Sequence, residues 1–355
     1  MQMLIGDIGG TRVRLRLLES TAGGWQIRHE SIRRSQAFES LEHALRGFLE
    51  ELSRTERANV REAWLAVAGP VANGRVRFTN LPWESEAHLL ETALKLPSVH
   101  LVNDLEALAH ALPHIPQRQL IPIQKGHADS GPRLLISVGT GLGVASSFTE
   151  ADGIRVLPSE GGHSDFASQT REQHALWKSL SEQYGHVSYE RLLSGSGLVK
   201  IYKYHCDRYA CPPFDGHVLT EDPAPLVCQR AENREDKAAT AAIACFSEIL
   251  GAFAGNAALF SLATGGVYLV GGLLARLQPF LSDHRFIQAF QRKGRLQTLM
   301  QTIPIHAVTT AEPGLEGITQ LATRYHSLAS ASRHTGAQGL PRESEVHAGG
   351  YHRQP

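Results

Sequence analysis

The sequence is poor in cysteine and has no excess of charge of either sign. Its four cysteines, at positions 206, 211, 228 and 245, form no Cys-x-x-Cys pair and have no metal-binding spacing with histidine. This usage fits a reducing, cytoplasmic setting. Because 35 basic residues balance 35 acidic ones, the charge gives no reason to expect nucleic acid or an anionic membrane surface as a partner.

Long hydrophobic runs are also missing. The longest apolar stretches are read as shorter than a membrane span, and the N-terminus enters a predicted strand without the features of a secretion signal. We therefore expect no membrane segment. The composition, 42% hydrophobic and 20% charged, is typical of a soluble globular protein. A chain of 355 residues exceeds the size at which one core keeps growing, which predicts two domains.

Two glycine-threonine loops occupy equivalent places in the two halves of the chain. They are Gly6-Asp7-Ile8-Gly9-Gly10-Thr11 and Gly139-Thr140-Gly141-Leu142-Gly143. Each follows a predicted strand and precedes another, so either loop alone fits a plain hairpin turn. Glycines also allow successive backbone N–H groups to turn toward one point and bind an anion. Two such loops in matching settings predict a cleft that holds a polyphosphate from both sides.

The order of predicted elements is the same in both halves. A βββαβαβα order that occurs twice, each time opening on such a loop, is the layout of the actin-like, hexokinase-type ATPase fold, a duplicated ribonuclease H-like α/β fold with an interdomain cleft. Residues 1–113 and 312–329 are predicted to form a small α/β domain. Residues 114–311 are predicted to form a large one, with a helical insertion at about 169–230. From residue 330 to 355 the periodicity disappears, which predicts a disordered, polar tail.

Phosphoryl transfer needs a bound nucleotide, neutralised charge and a base for the acceptor hydroxyl. Our candidate base is Asp104, which follows Asn103 where a predicted strand gives way to a helix. Both residue types are also favoured helix N-caps, so simple capping is the alternative. Asp7, beside the first loop, is a candidate to hold Mg²⁺ through water; as a turn residue it would need no such role.

A second polar set lies in Ser159-Glu160-Gly161-Gly162-His163-Ser164-Asp165-Phe166. The side chains of Glu160 and His163 offer acceptors and donors that suit adjacent sugar hydroxyls. Glu-x-x-His is also seen in metal sites, but no second ligand cluster accompanies it. Glu190 is a possible third polar contact, or an ordinary solvated residue.

A predicted strand in the second half is bracketed by the glycine pairs Gly265-Gly266 and Gly271-Gly272. Glycine at these positions allows a flat adenine and ribose to approach the backbone. The alternative is close packing of strand and helix.

Together these motifs resemble the bacterial glucokinase family of the type found in proteobacteria and cyanobacteria. The resemblance covers about residues 3–328 and includes the segments already quoted together with Gly185-His186-Val187-Ser188-Tyr189-Glu190-Arg191-Leu192-Leu193-Ser194-Gly195. It implies ATP-dependent phosphorylation of glucose at its 6-hydroxyl in a cytoplasmic homodimer. The related ROK-family kinases and repressors look less similar, because they usually carry a cysteine-rich zinc motif.

The resemblance also implies roles for individual residues. Asp104 matches the general base, and the sugar hydroxyls would be held by Asn103, Asp104, Glu160, His163 and Glu190. Residues Gly6–Thr11 match the ATP-phosphate segment. One departure is Arg12, where many relatives have asparagine; it either adds a phosphate contact or crowds the loop. Two alternatives remain open here: a kinase for another hexose or an amino sugar, and a non-catalytic sugar sensor on the same scaffold.

Overall fold

The computed structural model describes the chain except for residues 23, 152, 212–222, 235, 282–283, 310–312 and 336–355. The strands are β1 (Gln2–Ile8), β2 (Arg12–Thr21), β3 (Gly24–Arg34), β4 (Val60–Val67), β5 (Val71–Ala72), β6 (Arg75–Arg77), β7 (Glu84–Glu86), β8 (Ser98–Asn103), β9 (Leu120–Gln124), β10 (Arg133–Val138), β11 (Leu142–Glu150), β12 (Gly153–Ser159), β13 (Val267–Val270) and β14 (Ile305–Val308). The α-helices are α1 (Leu41–Glu51), α2 (Arg54–Asn59), α3 (Ala87–Leu94), α4 (Asp104–Ala111), α5 (Arg171–Tyr184), α6 (Gly195–Tyr209), α7 (Ala224–Glu232), α8 (Lys237–Ser261), α9 (Gly272–Leu281), α10 (His284–Gln291), α11 (Gln297–Thr302) and α12 (Pro313–Thr335).

The chain divides into two compact units, both of mixed α/β structure. The first contains Met1–His114 and the chain from Ala311 onward, and the second contains Ile115–Thr310. These bounds lie one residue from the predicted domain bounds at 113/114 and 311/312.

The first unit is built on a five-stranded sheet with the order β3-β2-β1-β4-β8. β1, β2 and β3 form an antiparallel meander, and β4 and β8 continue the sheet in parallel with β1. All but one residue of β1 are buried, as expected of a central strand covered on both faces. One apolar cluster packs α1 and α3 on one face, and another packs α4 and α12 on the other.

The second unit contains a six-stranded sheet with the order β12-β11-β10-β13-β14-β9. Its first three strands again form an antiparallel meander, and β13 and β14 follow in parallel with β10. β9 pairs antiparallel with β14 at the edge. Helices α5 to α10 share one large apolar cluster with this sheet.

Helix α8 lies at the centre of that cluster. By length and composition alone it is long and apolar enough to cross a membrane, although 67% of its most apolar stretch is buried inside the protein. The prediction that every apolar stretch is shorter than a membrane span was therefore wrong for this helix. Alanine and glycine let its neighbours approach closely: a Cβ on Gly251 would lie 2.2 Å from the carbonyl oxygen of Phe286. Such burial is typical of the core helix of a soluble protein.

Several elements differ from the predictions. The sequence of residues 85–96 predicts one helix, but this segment begins in the short strand β7 and becomes α3 only at Ala87. Helix α12 continues to Thr335, so the predicted start of the tail at residue 330 was too early; residues 336–355 lie outside the described residues. β9, α2, α10 and α11 were not predicted, because each is short and three of them lie within segments of mixed polarity.

Candidate active site

The carboxyl ends of parallel strands meet at one edge of the first unit's sheet. In the register of β1, β4 and β8, Asp7 lies opposite Ala66 and Asn103 lies opposite Val67. Asp104 is the next residue and begins α4. This edge of an α/β sheet is where ligands usually bind. The structure therefore brings Asp7, Asn103 and Asp104 to a single edge of one sheet.

Asn103 caps α4 and also holds a neighbouring loop. Its Oδ1 accepts hydrogen bonds from the N–H groups of Leu105 at 3.0 Å and Glu106 at 3.2 Å. Its Nδ2 donates to the carbonyl oxygen of Gly69 at 2.9 Å. The capping interpretation is confirmed. The second amide hydrogen of Asn103 makes no hydrogen bond with the described residues and is available to another acceptor.

Asp104 is an aspartate whose pKa is shifted toward neutrality. Burial raises the pKa of Asp104 to about 6, and the negative charge of Asp7 adds to the rise. The N–H of Leu105, which donates to Oδ1 at 2.8 Å, acts in the opposite direction. A carboxyl group with this pKa is mostly ionised at pH 7, yet it binds a proton more strongly than an ordinary aspartate. Those are the properties of a general base that works near neutral pH.

Asp7 is held by an arginine of the neighbouring strand. Arg14 Nη1 donates to Asp7 Oδ2 at 2.9 Å, and both side chains are largely buried. The backbone of α12 also comes close, because a Cβ on Gly314 would lie 2.9 Å from Cγ of Asp7. Within the described part of the chain, no group of three or more His, Cys, Asp or Glu side chains is placed to hold a metal ion. The donor set at this edge therefore fits Mg²⁺ only in the mode in which phosphate oxygens and water supply most ligands.

The first loop is tight, and two of its backbone donors are unused. Gly9 N–H donates to the carbonyl oxygen of Arg12 at 2.9 Å, which closes the turn. The N–H groups of Gly10 and Thr11 form no hydrogen bond with any described residue. Two successive donors of this kind make an anion-binding concavity. Glycine is needed at position 10, since a Cβ there would lie 2.9 Å from Cβ of Asn80.

Two other residues of the predicted phosphate segment, Gly6 and Ile8, are packed inside the protein. Gly6 lies inside β1, where a Cβ would meet side-chain carbons of Leu65 and Leu15 at 2.7 and 2.9 Å, and Ile8 is fully buried. Both residues therefore serve the packing of β1 against its neighbours. The side chain of Arg12 is exposed and forms no ion pair with a described residue, so it does not crowd the turn.

The second loop has the same pattern. Gly139 N–H donates to the carbonyl oxygen of Gly141 at 3.0 Å. The N–H groups of Thr140 and Gly141 form no hydrogen bond with the described residues. Leu142 N–H, by contrast, donates to Oε2 of Glu190 at 2.9 Å. This loop is therefore tied to one of the residues predicted to bind sugar.

Glu160, His163 and Glu190 form one polar cluster in the second unit. His163 lies between the two carboxylates, with Nε2 3.8 Å from Oε2 of Glu160 and Nδ1 3.8 Å from Oε1 of Glu190. Glu160 and His163 are exposed, while Glu190 is half-buried. The cluster offers carboxylate acceptors and an imidazole within reach of neighbouring hydroxyls of one small polar molecule.

The backbone holds this cluster in place. Glu190 N–H donates to the carbonyl oxygen of Gly162 at 2.9 Å. A Cβ on Gly162 would lie 2.0 Å from the carbonyl oxygen of Leu142, so the turn packs directly on β11. A further pair, His186 Nε2 and Asp165 Oδ1 at 2.8 Å, joins the two segments that carry the cluster. The second glycine of the motif is thus a packing requirement.

The two glycine pairs around β13 lie at opposite ends of that strand. Gly271 is at its carboxyl end, where a Cβ would lie 2.2 Å from the carbonyl oxygen of Val138, next to the second loop; Gly272 begins α9. Gly265 N–H donates to Pro132, and Gly266 accepts from Leu134 N–H, at the amino end. Four residues of strand separate the pairs by about 13 Å. Gly265 and Gly266 therefore do not belong with the loop, and their surroundings support the packing alternative.

Two side chains at the site were not predicted to act there. Arg14 is the partner of Asp7, and Ser35, which is fully buried, donates its hydroxyl to the carbonyl oxygen of Gly9 at 2.7 Å. The alternation of basic and apolar residues in β2 places Arg14 on the polar face, but nothing in the sequence indicates the contact of Ser35, which lies 26 residues from its partner.

Comparisons with known proteins agree with this arrangement. The model of the glucokinase family matches residues 4–325. The glucokinase of Chromobacterium violaceum is 36% identical over 316 residues, which cover 89% of this chain and 87% of that protein. The chain belongs to the glucokinase family.

Solved glucokinase structures share the fold. The crystal structure of a glucokinase from an Antarctic psychrotroph superposes with a TM-score of 0.76 at 30% identity and covers 90% of this chain and 98% of that one. The Balamuthia mandrillaris glucokinase, solved in complex with glucose, gives a TM-score of 0.73 at 22% identity over 91% of this chain and 93% of its own; at that identity the likeness concerns the fold.

Proposed function

We propose that this protein is a glucokinase, which transfers the terminal phosphoryl group of ATP to the 6-hydroxyl of glucose and yields glucose 6-phosphate and ADP. Membership of the glucokinase family supports the reaction class. The observation that supports the mechanism most directly is Asp104, an aspartate with its pKa raised to about 6 at the carboxyl edge of a sheet. Nothing in the described residues or in the comparisons favours an amino-sugar kinase or a non-catalytic sensor.

Asp104 is the proposed general base. The 6-hydroxyl of glucose must lose its proton as its oxygen attacks the phosphorus, and a carboxylate that is ionised at pH 7 can accept that proton. The positive end of α4 favours the ionised form before the reaction, and burial with the nearby charge of Asp7 favours the protonated form after it. The influences that raise the pKa outweigh those that lower it, and the resulting pKa of about 6 lies where a base is effective.

The two loops are the proposed phosphate-binding elements. Each offers two successive N–H groups that no described residue uses, at Gly10 and Thr11 and at Thr140 and Gly141. Hydrogen bonds from such donors stabilise the charge on transferring phosphoryl oxygens. When bound, Mg²⁺ neutralises phosphate charge; Asp7 is the proposed residue to hold it through water, with Arg14 fixing the orientation of Asp7. Gly271 and Gly272, beside the second loop, are proposed to leave room for the nucleotide.

Glu160, His163 and Glu190 are proposed to bind the hydroxyl groups of glucose, together with Asn103 and Asp104. At 3.8 Å from the imidazole of His163, Oε2 of Glu160 and Oε1 of Glu190 form no close hydrogen bond with it, which supports their availability to a sugar. Asn103 would donate the amide hydrogen that Gly69 does not accept. Polar sites of this kind reject analogues that lack a matching hydroxyl.

Three broader features belong to the same proposal. The topologies of the two sheets support a duplicated βββαβαβα, actin-like ATPase fold, with residues 1–113 and 312–329 as the small domain. The family resemblance supports a cytoplasmic homodimer that acts on small molecules alone, without a nucleic-acid or membrane partner. Light scattering of the purified protein measures the oligomeric state directly.

A coupled assay tests the proposed function. Purified protein is mixed with ATP and Mg²⁺ and a panel of hexoses, including glucose, mannose, fructose and glucosamine, and the release of ADP is followed. We expect the highest kcat/KM with glucose. Binding of glucose by calorimetry without ADP release on any sugar would contradict the proposal and identify a sensor, and a preference for glucosamine would identify an amino-sugar kinase.

A further inference from the structure

Ser35 lies directly behind the first glycine loop. It follows β3, its side chain is fully buried, and it makes two contacts with the loop. Its hydroxyl donates to the carbonyl oxygen of Gly9 at 2.7 Å. Its backbone N–H donates to the carbonyl oxygen of Thr11 at 3.0 Å. Only the first of these bonds depends on the side chain.

The hydroxyl of Ser35 fixes the direction of one unused donor. In a planar trans peptide the C=O of one residue and the N–H of the next point to opposite sides. The carbonyl of Gly9 therefore shares a peptide plane with the N–H of Gly10, which makes no hydrogen bond with the described residues. Because the carbonyl is held toward Ser35, the N–H of Gly10 is held away from the protein interior. Glycines on both sides of that plane would otherwise let it rotate.

We propose that Ser35 is a positioning residue for the nucleotide: its hydroxyl orients the Gly9–Gly10 peptide so that the Gly10 N–H donates to a phosphate oxygen of ATP. This inference rests on the proposed function. It assigns Ser35 to the nucleotide and not to the sugar, since its hydroxyl and its N–H both donate to the loop. Loss of the hydroxyl leaves the peptide free to turn, and the donor must then be ordered on each binding event.

The test compares Ser35→Ala with Ser40→Ala. Ser40 caps α1 in the same unit, where its hydroxyl accepts from His43 N–H at 3.1 Å, so its removal costs stability without touching the loop. For Ser35→Ala we expect KM for ATP, and the dissociation constant of a non-hydrolysable ATP analogue in calorimetry, to rise about two- to tenfold, the equivalent of one hydrogen bond. KM for glucose should stay within experimental error. For Ser40→Ala both constants should stay unchanged while Tm falls.

Two results would overturn the assignment: a Ser35→Ala enzyme that loses Tm but binds the ATP analogue like the wild type, or equal changes in the constants for ATP and glucose. If Ser35→Ala does not fold, Ser35→Cys preserves the volume with a weaker donor and is judged by the same outcomes. Failure of the proposed function is recognised separately, because the wild-type enzyme would then release no ADP in the coupled assay.

Discussion

The two glycine-threonine loops follow equivalent strands in their sheets, but different side chains hold them. A buried serine hydroxyl holds the first loop through the carbonyl of Gly9. A carboxylate holds the second through the N–H of Leu142, and that carboxylate belongs to Glu190, a proposed sugar ligand. The first loop is therefore supported by the core, and the second is supported by a group that is also proposed to bind the sugar. Substitutions in the second loop should therefore change the binding of the sugar, whereas substitutions in the first loop should not.

The largest expected effect is on the chemical step, with both loops left intact. Asp104→Ala removes the proposed base and leaves every loop contact in place, so we expect kcat to fall by about 10²–10⁴. Binding of a non-hydrolysable ATP analogue, measured by calorimetry, should change little. An enzyme with wild-type kcat would remove Asp104 from the mechanism.

Ionised Asp104 should also lower the free energy of unfolding of the protein. The pKa of Asp104 in the folded protein, about 6, is higher than its ordinary value of 3.8. The folded state therefore binds the proton more tightly, and ionised Asp104 destabilises the fold above pH 6. Asp104→Asn removes that cost, so we expect the free energy of unfolding to rise by up to about 3 kcal/mol at pH 7.5.

The gain should shrink as the pH falls through 6 and vanish near pH 4, because Asp104 is then protonated in both states. Urea unfolding at the two pH values measures the difference. An equal gain at both would show that burial of the charge is not its cause.

The smallest expected effect tests whether the second loop, unlike the first, is linked to sugar binding. A Cβ on Gly141 would lie 2.6 Å from Oε2 of Glu190, while a Cβ on Gly139 would have no neighbour within 4 Å. Gly141→Ala should displace the carboxylate and raise KM for glucose about tenfold, although the residue lies in a loop proposed to bind the nucleotide. Gly139→Ala is the matched control, with KM for glucose unchanged. Equal values for the two variants would show that Glu190 does not link this loop to the sugar.

The parts of the site that could be predicted from the sequence are those set by local pattern. Apolar runs that end in Asp7 or Asn103 marked the carboxyl ends of strands, and glycines marked the loops. The bond between Glu190 and Leu142 joins residues 48 positions apart, and the contact of Ser35 with Gly9 depends on how β3 returns along β2. Both contacts depend on how distant segments pack together, which no local sequence pattern predicts.

Strand direction separates two glycine pairs that the sequence analysis grouped together. Glycine pairs on both sides of β13 looked alike as sequence, but a strand has one carboxyl end, and only Gly271 and Gly272 lie there. β9 was not predicted for a related reason. It has five residues, including a proline, and lies at the edge of the sheet, so it is recognisable as a strand only from its pairing with β14. The raised pKa of Asp104 likewise depends on burial of its carboxyl group and, to a smaller extent, on the charge of Asp7, 97 residues earlier in the chain.

The pH dependence of kcat/KM for glucose tests the central claim most directly, because it reports the ionisation of the base in the enzyme before glucose binds. With ATP and Mg²⁺ held saturating, we predict a plateau above pH 7 and an acid limb with a pKa of about 6, below which the rate falls tenfold per pH unit. A rate that stays constant down to pH 4.5 would contradict the account, since Asp104 would then be protonated without consequence.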